Sequence, residues 1–491
     1  MTTARQALTT AATDERATWT SLDAAFLAGA AAVVTALCAS LIPALVDDSF
    51  IYLRIAANIG TGQGWLYNLT EVSNAATSTS YTLLVAAIGL VLGYSEATLA
   101  TAYGLTLYAL WALQYAAWHG EGRGRAIAIA TGTALGGVLL RSFGMESPLM
   151  LACVSATALS YRAQGDSWRT GALAGLTALT RPEGIALLGL IGLVELVRGR
   201  RIAWRSVLAA GLVILPWVAF ATWYFGTARS QTGEIKALQR HMGWWATQPG
   251  FLFSFLGQPR WLPATLALAT GGAWLAVRRW LRGDAFALLC IGFGVIQVLG
   301  YQLMDAPSGY VWYFIPGNFA VDLGVMLFGT WGIGVLARRF SWRPALAVAV
   351  TLVALPVLMR LGMSPQVRLP GEYRLAAEYR AVGHWLDAHG APGDVVAATE
   401  IGYLGWYSGL GVLDIHGLAH PRAVPWLRQH NLHWWWDTGE RPRYVVIHDK
   451  PWFGEPGSEE TWPPALNAEF FRQYRPAFQY ETLRVFERNG S

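Results

Sequence analysis

The feature that most constrains this sequence is a train of apolar runs, 13 to 25 residues each, beginning at residue 22 and ending near 361. A helix rises about 1.5 Å per residue, so roughly 20 apolar residues cross a bilayer core. The runs fall at 22–46, 77–93, 96–118, 126–140, 147–161, 168–180, 184–197, 207–225, 260–277, 284–300, 315–336 and 345–361. Charge is correspondingly scarce: 14% of the 491 residues are Asp, Glu, Lys or Arg, against roughly 25% in an average soluble chain. Disorder and an ordinary soluble fold are both excluded, which leaves an α-helical polytopic membrane protein. The polar residues 1–21 lack a signal-peptide pattern, so the first run reads as an uncleaved helix after a cytoplasmic tail.

Cys38, Cys153 and Cys290 lie inside apolar runs without a CxxC neighbour, so neither a disulfide framework nor a zinc site is indicated. The net charge of +5 is carried by arginine, because Lys236 and Lys450 are the only lysines. Arginine with abundant Ala and Gly points to a GC-rich, bacterial genome. No basic stripe interleaved with aromatics is present, so nucleic acid is not an expected partner. The arginines serve topology instead. They crowd the breaks at 119–125, 162–169, 198–206, 278–283 and 337–344, while Glu146, Glu183, Glu234 and Asp305 lie in the alternate breaks. The positive-inside rule puts the first set in the cytoplasm and the second outside.

Parity then requires one run not to cross. Residues 77–93 are the choice: the run is short, follows the polar stretch 73–80, and ends at Gly93-Tyr94-Ser95-Glu96. It reads as an interfacial or re-entrant helix. That leaves about 11 crossings, an inside N-terminus and an outside C-terminal domain. The rival keeps 12 crossings and an outside N-terminus.

The first outer loop opens with Asp47-Asp48 and continues as a short amphipathic helix with Phe50, Ile51, Leu53 and Ile55 on its apolar face and Gly60 at its end. One acid there can cap the helix and offset its dipole. Capping explains one acid, and the second is left as a catalytic candidate.

The run "DDSFIYLRIAANIGTGQGWLYN" followed by "SNAATSTSYTLLVAAIGLVLGY" resembles the first outer loop of the GT-C superfamily, integral-membrane glycosyltransferases that use polyprenyl-phosphate sugars. "RSFGMESPL" at 141–149 resembles its Gly-x-Glu motif, "GALAGLTALTRPEGIALLGL" at 171–190 its Arg-Pro-Glu-Gly hairpin, and "YVWYF" at 310–314 a late Trp-Tyr motif. The resemblance covers roughly residues 22–320 and is nearest the arabinofuranosyltransferase branch, whose donor is decaprenyl-phosphoryl-arabinose. That branch often carries Pro-x-Thr before a lysine in the large outer loop. The stretch from Thr227 to Lys236 has no proline.

The resemblance implies a GT-C-like domain at 22–364 with a catalytic outer loop at 47–95, and an extracytoplasmic α/β domain at 365–491. It implies a polyprenyl-phosphate-linked donor, a cell-envelope glycan or surface-protein acceptor, and a site on the outer face of a bacterial plasma membrane. Arabinofuranose is the favoured sugar, and mannose or another hexose the alternative. Such transfer needs a base, cations for the departing phosphate, and a groove for the lipid. Carboxylates are ionised at neutral pH and can serve as base. Asp47 is the first choice, Asp48 the second, and inversion by direct displacement the simplest outcome. Glu146 either sits favourably at a helix start or orients the acceptor. With Asp48 it can share Mg²⁺ or Mn²⁺, a cofactor the sequence does not require. Lys236, Arg181, Arg54 and His241 are the candidate phosphate contacts. Lys236 is equally a headgroup contact, and Arg181 equally a salt bridge to Glu183. Trp65, Tyr67, Trp223, Tyr224, Trp244, Trp245, Tyr310, Trp312 and Tyr313 form an interfacial belt, with Trp312 and Tyr313 the candidates for sugar stacking.

Beyond 365 the composition becomes that of a soluble domain. A helix is predicted at 372–389, buried strands at 394–399, 411–415 and 444–448, and a terminal hairpin, giving a partly parallel sheet. Seven of nine histidines lie here without a zinc pattern. Trp434-Trp435-Trp436 could hold a glycan or touch the membrane, and residues 414–418 could face the site. The reading of a different class is a transporter of lipid-linked sugars, which predicts repeats and mid-membrane charge; Asp322 is the one acid that fits it. A transferase using a cytoplasmic nucleotide sugar requires the 12-crossing topology.

Overall fold

In the computed structural model, residues 19–135, 137–199, 201–243, 248–258, 263–340 and 370–490 are described. The expected crossing at 345–361, the boundary near 365, and Trp244, Trp245 and Arg260 lie outside them. The membrane part runs through α1 (Ser21–Leu41), α2 (Asp47–Gly60), α3 (Thr79–Leu92), α4 (Glu96–Trp118), α5 (Arg123–Ala134), α6 (Gly137–Leu140), α7 (Ser147–Gln164) and α8 (Trp168–Thr180). It continues through α9 (Ile185–Gly199), α10 (Trp204–Phe225), α11 (Gln231–His241), α12 (Phe251–Leu256), α13 (Pro263–Leu281), α14 (Phe286–Leu303) and α15 (Ile315–Phe340). Among the described residues, four segments are long and apolar enough to span a bilayer alone: Ser21–Ala44, Trp204–Phe225, Phe286–Leu303 and Val311–Ala337. The other helices are shorter or less apolar and pack among them, as in a multi-pass membrane protein. The run expected at 126–140 is broken between α5 and α6.

Two opposite faces are defined by side-chain contacts. At one, Asp23 of α1 closes a capping box with Thr20. It also accepts from Tyr115 at 2.7 Å and pairs with Arg123 at 2.8 Å, so α1 starts where α4 ends and α5 begins. At the other face lie α2, the start of α7, the α8–α9 turn and α11. Helix α3 starts and ends there. Tyr81 near its start donates to the Gly144 carbonyl at 2.8 Å. Beyond its end, Tyr94 lies where a Cβ on Gly60 or Gly89 would stand, and Glu96 pairs with Arg380 at 2.5 Å. With 14 residues, α3 is about 21 Å long, and its two ends return to one face, in keeping with an element that does not cross.

The C-terminal domain begins with α16 (Pro370–His389) and carries strands β1 (Val395–Ala398), β2 (Gly411–Asp414), β3 (Tyr444–His448), β4 (Tyr474–Tyr480) and β5 (Leu483–Arg488). The sheet order is β2-β1-β3-β5-β4. Strands β2, β1 and β3 are parallel, and β3-β5-β4 antiparallel. All five residues of β3 are buried, as a strand covered on both faces must be. Between β1 and β2 lies the short α17 (Gly402–Ser408). Trp434, Trp435 and Trp436 are at most 3% exposed. The expectation that they touch glycan or membrane is therefore corrected: they fill the core against Trp462. That core is continuous with the membrane part, where Phe50 meets Tyr403 at 4.2 Å between centroids.

Candidate functional site

Helix α2 starts with two acids, and successive helical residues point about 100° apart. Asp47 faces the C-terminal domain. It accepts backbone N–H bonds from Gly402 at 2.8 Å and Tyr403 at 2.7 Å, the first residues of α17. A Cβ on Gly402 would collide with the Asp47 backbone, so glycine permits the approach. Asp48 faces the other way and pairs with Lys236 of α11 at 2.8 Å. Lys236 also stands over the rings of Tyr310 and Trp312, at 4.4 and 4.9 Å. Burial works against the ammonium, but Asp48 and the Tyr310 side chain outweigh it and hold the lysine above its ordinary pKa.

A cavity of about 490 Å³ opens between the two domains. Asp48, Lys236, Tyr310 and Trp312 form its membrane side. Thr399, Glu400, His416, Leu418, Trp452 and Phe453 form its roof. Each roof residue follows the carboxyl end of a parallel strand: β1 leads to 399 and 400, β2 to 416 and 418, β3 to 452 and 453. Ligands of parallel sheets gather at such ends. A narrower cleft continues from Asp48 and Lys236 to Glu146, Arg181, Trp312 and Tyr313. There Arg181 pairs with Glu146 at 2.6 Å and with Glu183 at 2.8 Å. Tyr52 donates to the second Glu146 oxygen at 3.0 Å.

The structure thus brings Asp48, Lys236, Glu146, Arg181, Trp312 and Tyr313 to one connected site, and it places three candidates elsewhere. Asp47, expected first as base, lines neither cavity and spends both oxygens on the interdomain joint. Arg54, expected at the phosphate, donates instead to the carbonyls of Tyr67, Gly405 and Leu410 at 2.9, 2.5 and 2.8 Å. It ties α2 to α17. His241 is exposed at the end of α11 and lines neither cavity. The stacking candidates carry cations on their rings, Lys236 over Trp312 and Arg181 over Tyr313 at 5.3 Å. Residues 414–418 do reach the cavity, through His416 and Leu418.

Sequence reasoning missed Glu400. The signal was an acid directly after a buried strand, "DVVAATE". Burial, and then the charges of Asp47 and Asp48, push its carboxyl well above the ordinary range. Burial also pushes Asp47 up, to about 6. Glu400 also hydrogen-bonds Asp47. Asp47, Asp48 and Glu400 offer oxygens within 4.8 Å of one another, a donor set that suits a divalent cation once Glu400 has lost its proton.

The chain shares its fold with ArnT from Cupriavidus metallidurans. The structure bound to undecaprenyl phosphate gives a TM-score of 0.58 at 14% identity, over 95% of this chain and 98% of that one. The apo structure gives 0.59 at 14%, over 94% and 97%. Arabinofuranosyltransferase AftD from Mycobacteria aligns over 95% of this chain and 41% of its own, at 15% identity and a TM-score of 0.46. Residues 369–489 match a domain of unknown function (DUF8728). No curated protein matches the sequence significantly. The architecture is the GT-C-like one expected from the motifs.

Proposed function

We propose that this chain is a membrane glycosyltransferase that moves a sugar from a polyprenyl-phosphate donor to an acceptor hydroxyl at the outer face of a bacterial plasma membrane. The observation that carries the reading is the Asp48–Lys236 pair, a carboxylate and an ammonium 2.8 Å apart on the wall of one interdomain cavity. The fold shared with an undecaprenyl-phosphate-bound structure supports a lipid-linked donor. Arabinofuranose is the favoured sugar, on the strength of the motif resemblance, and a cell-envelope glycan or surface protein the acceptor.

In this reading Lys236 meets the donor phosphate. Its arrival competes with Asp48 for the ammonium and frees the carboxylate. Asp48 then takes the proton of the acceptor hydroxyl. The acceptor oxygen bonds to the anomeric carbon as the bond from that carbon to the phosphate oxygen breaks, and configuration inverts. The departing phosphate keeps the electron pair beside Lys236, with Arg181 as a second fixed cation. Glu146 and Glu183 act through Arg181 by holding its guanidinium in place.

The test is transfer by purified protein from a panel of synthetic polyprenyl-phosphate sugars, with glycan and peptide acceptors. Asp48→Asn is expected to cut transfer by about 100-fold or more while undecaprenyl phosphate still binds. Unimpaired transfer by Asp48→Asn would remove this residue from the chemistry. Wild-type protein that transfers from no lipid donor would overturn the class.

A further inference from the structure

We infer that the roof of the large cavity is an acceptor subsite for an uncharged sugar ring, with Trp452 as its stacking platform. This rests on the transferase reading and adds the chemistry of the acceptor.

Trp452 lines the cavity and lies flat on His448, ring centroids 3.6 Å apart and planes 7° apart. His448 is pinned in turn. One ring nitrogen meets Glu455 at 2.7 Å and the other the Tyr379 hydroxyl at 2.9 Å. The same Glu455 accepts from the Thr399 hydroxyl at 2.8 Å and from the backbone N–H groups of His448 and Trp452 at 3.0 and 2.8 Å. No step of the proposed transfer uses this buried Glu–His–Tyr set. Its physical effect is to fix the plane of Trp452 with one face covered by His448, in a residue that lines the cavity. A flat apolar surface bordered by carboxyl groups suits a sugar: its C–H face lies on the ring and its hydroxyls meet the oxygens.

Charge narrows the class. Among the described lining residues, Asp48 and Glu460 bring acidic groups, and Lys236 is the single Lys or Arg. Burial lowers His416 to a pKa of about 4, so it is neutral near pH 7. With Lys236 engaged by the donor, a phosphorylated or carboxylated acceptor would meet like charge. The volume of about 490 Å³ falls among pockets that hold small molecules.

The experiment is equilibrium binding to the full-length protein in lipid nanodiscs. The probes are neutral oligosaccharides of arabinose, mannose and galactose, and counterparts ending in a uronate. Undecaprenyl phosphate is titrated in parallel. At least one neutral glycan is expected to bind more tightly than its uronate counterpart. Trp452→Ala should weaken it by about tenfold, and Trp452→Tyr, which keeps a ring, by less than about threefold. Neither change should alter undecaprenyl phosphate binding. Glu460 is exposed at the mouth, so Glu460→Lys folds regardless of Trp452 and should narrow the preference for the neutral glycan. Equal or tighter uronate binding, no neutral binding, or Trp452→Ala binding like wild type would overturn the proposal. Failure of undecaprenyl phosphate to bind wild-type protein would count separately, against the donor reading.

Discussion

At the scale of single residues, Asp47 and Asp48 show how adjacent identical side chains acquire different work. The turn of the helix sends one to a joint and the other to a cavity. Substituting Asp48 by Asn is expected to remove about 100-fold or more of kcat, and to lower the melting temperature as well, because buried Lys236 loses its carboxylate partner. Asp47→Asn is expected to cost less than about tenfold in kcat, with a lower melting temperature, because two amides of α17 lose a charged acceptor. Parallel kinetics separate the two. Arg181 gives a third test. Its guanidinium is buried between Glu146 and Glu183, so Arg181→Ala leaves two carboxylates unpaired. The expected cost is about 3–5 kcal/mol, read as loss of folded protein in a thermal melt. Such roles were only half legible beforehand. The spacing of Asp-Asp, Gly-x-Glu and Arg-Pro-Glu-Gly marked the site, because those residues come from one contiguous membrane part. Which acid faces the cavity depends on α17, about 350 residues away, and no local pattern carries that.

At the scale of elements, the joint between α2 and α17 decides whether the cavity exists. Gly402 admits Asp47, and Gly405 stands where a Cβ would meet Tyr67 and Arg54. Both glycines are contact points on a helix. Gly402→Ala should therefore open the joint, at about 1–3 kcal/mol, and cut transfer more than binding of the lipid. Proteolysis of the C-terminal domain would report the opening. The joint is also sensitive to pH. Between the ordinary carboxyl value near 4.3 and its raised value in the fold, Glu400 keeps a proton that the unfolded chain has lost. Stability must then fall as pH rises through that window. Asp47, raised to about 6, adds the same sign, and Lys236 beyond Asp48 tempers the shift of Glu400. The melting temperature is expected to drop as pH rises from about 5 through the region of about 6 where Asp47 titrates, and onward as Glu400 loses its proton. Glu400→Gln, with no proton to lose, should flatten the curve.

At the scale of the whole molecule, helix limits were well marked by apolar runs: residues 168–180 form α8 as expected, and the strand at 444–448 is β3. Hydropathy is a local property, and so are strand and helix ends. The docking of the C-terminal domain was not legible, because it is built from backbone carbonyls and glycines. Topology itself can be tested directly. Cys38, Cys153 and Cys290 are buried, so background thiol labelling should be low. A cysteine replacing Leu69 is expected to react with an impermeant maleimide from outside intact cells, and one replacing Gly120 only after lysis.

The cavity takes its floor from residue 48 and its roof from residues 399–453. A ribosome working at about 5–20 residues per second needs roughly 20–70 s to travel from one to the other. Throughout that interval the nascent chain already holds its first helices in the membrane. It has an aspartate and, later, a lysine, but no enclosed chamber. Folding of the last quarter of the chain, rather than insertion of the first, sets the moment at which the cavity is enclosed.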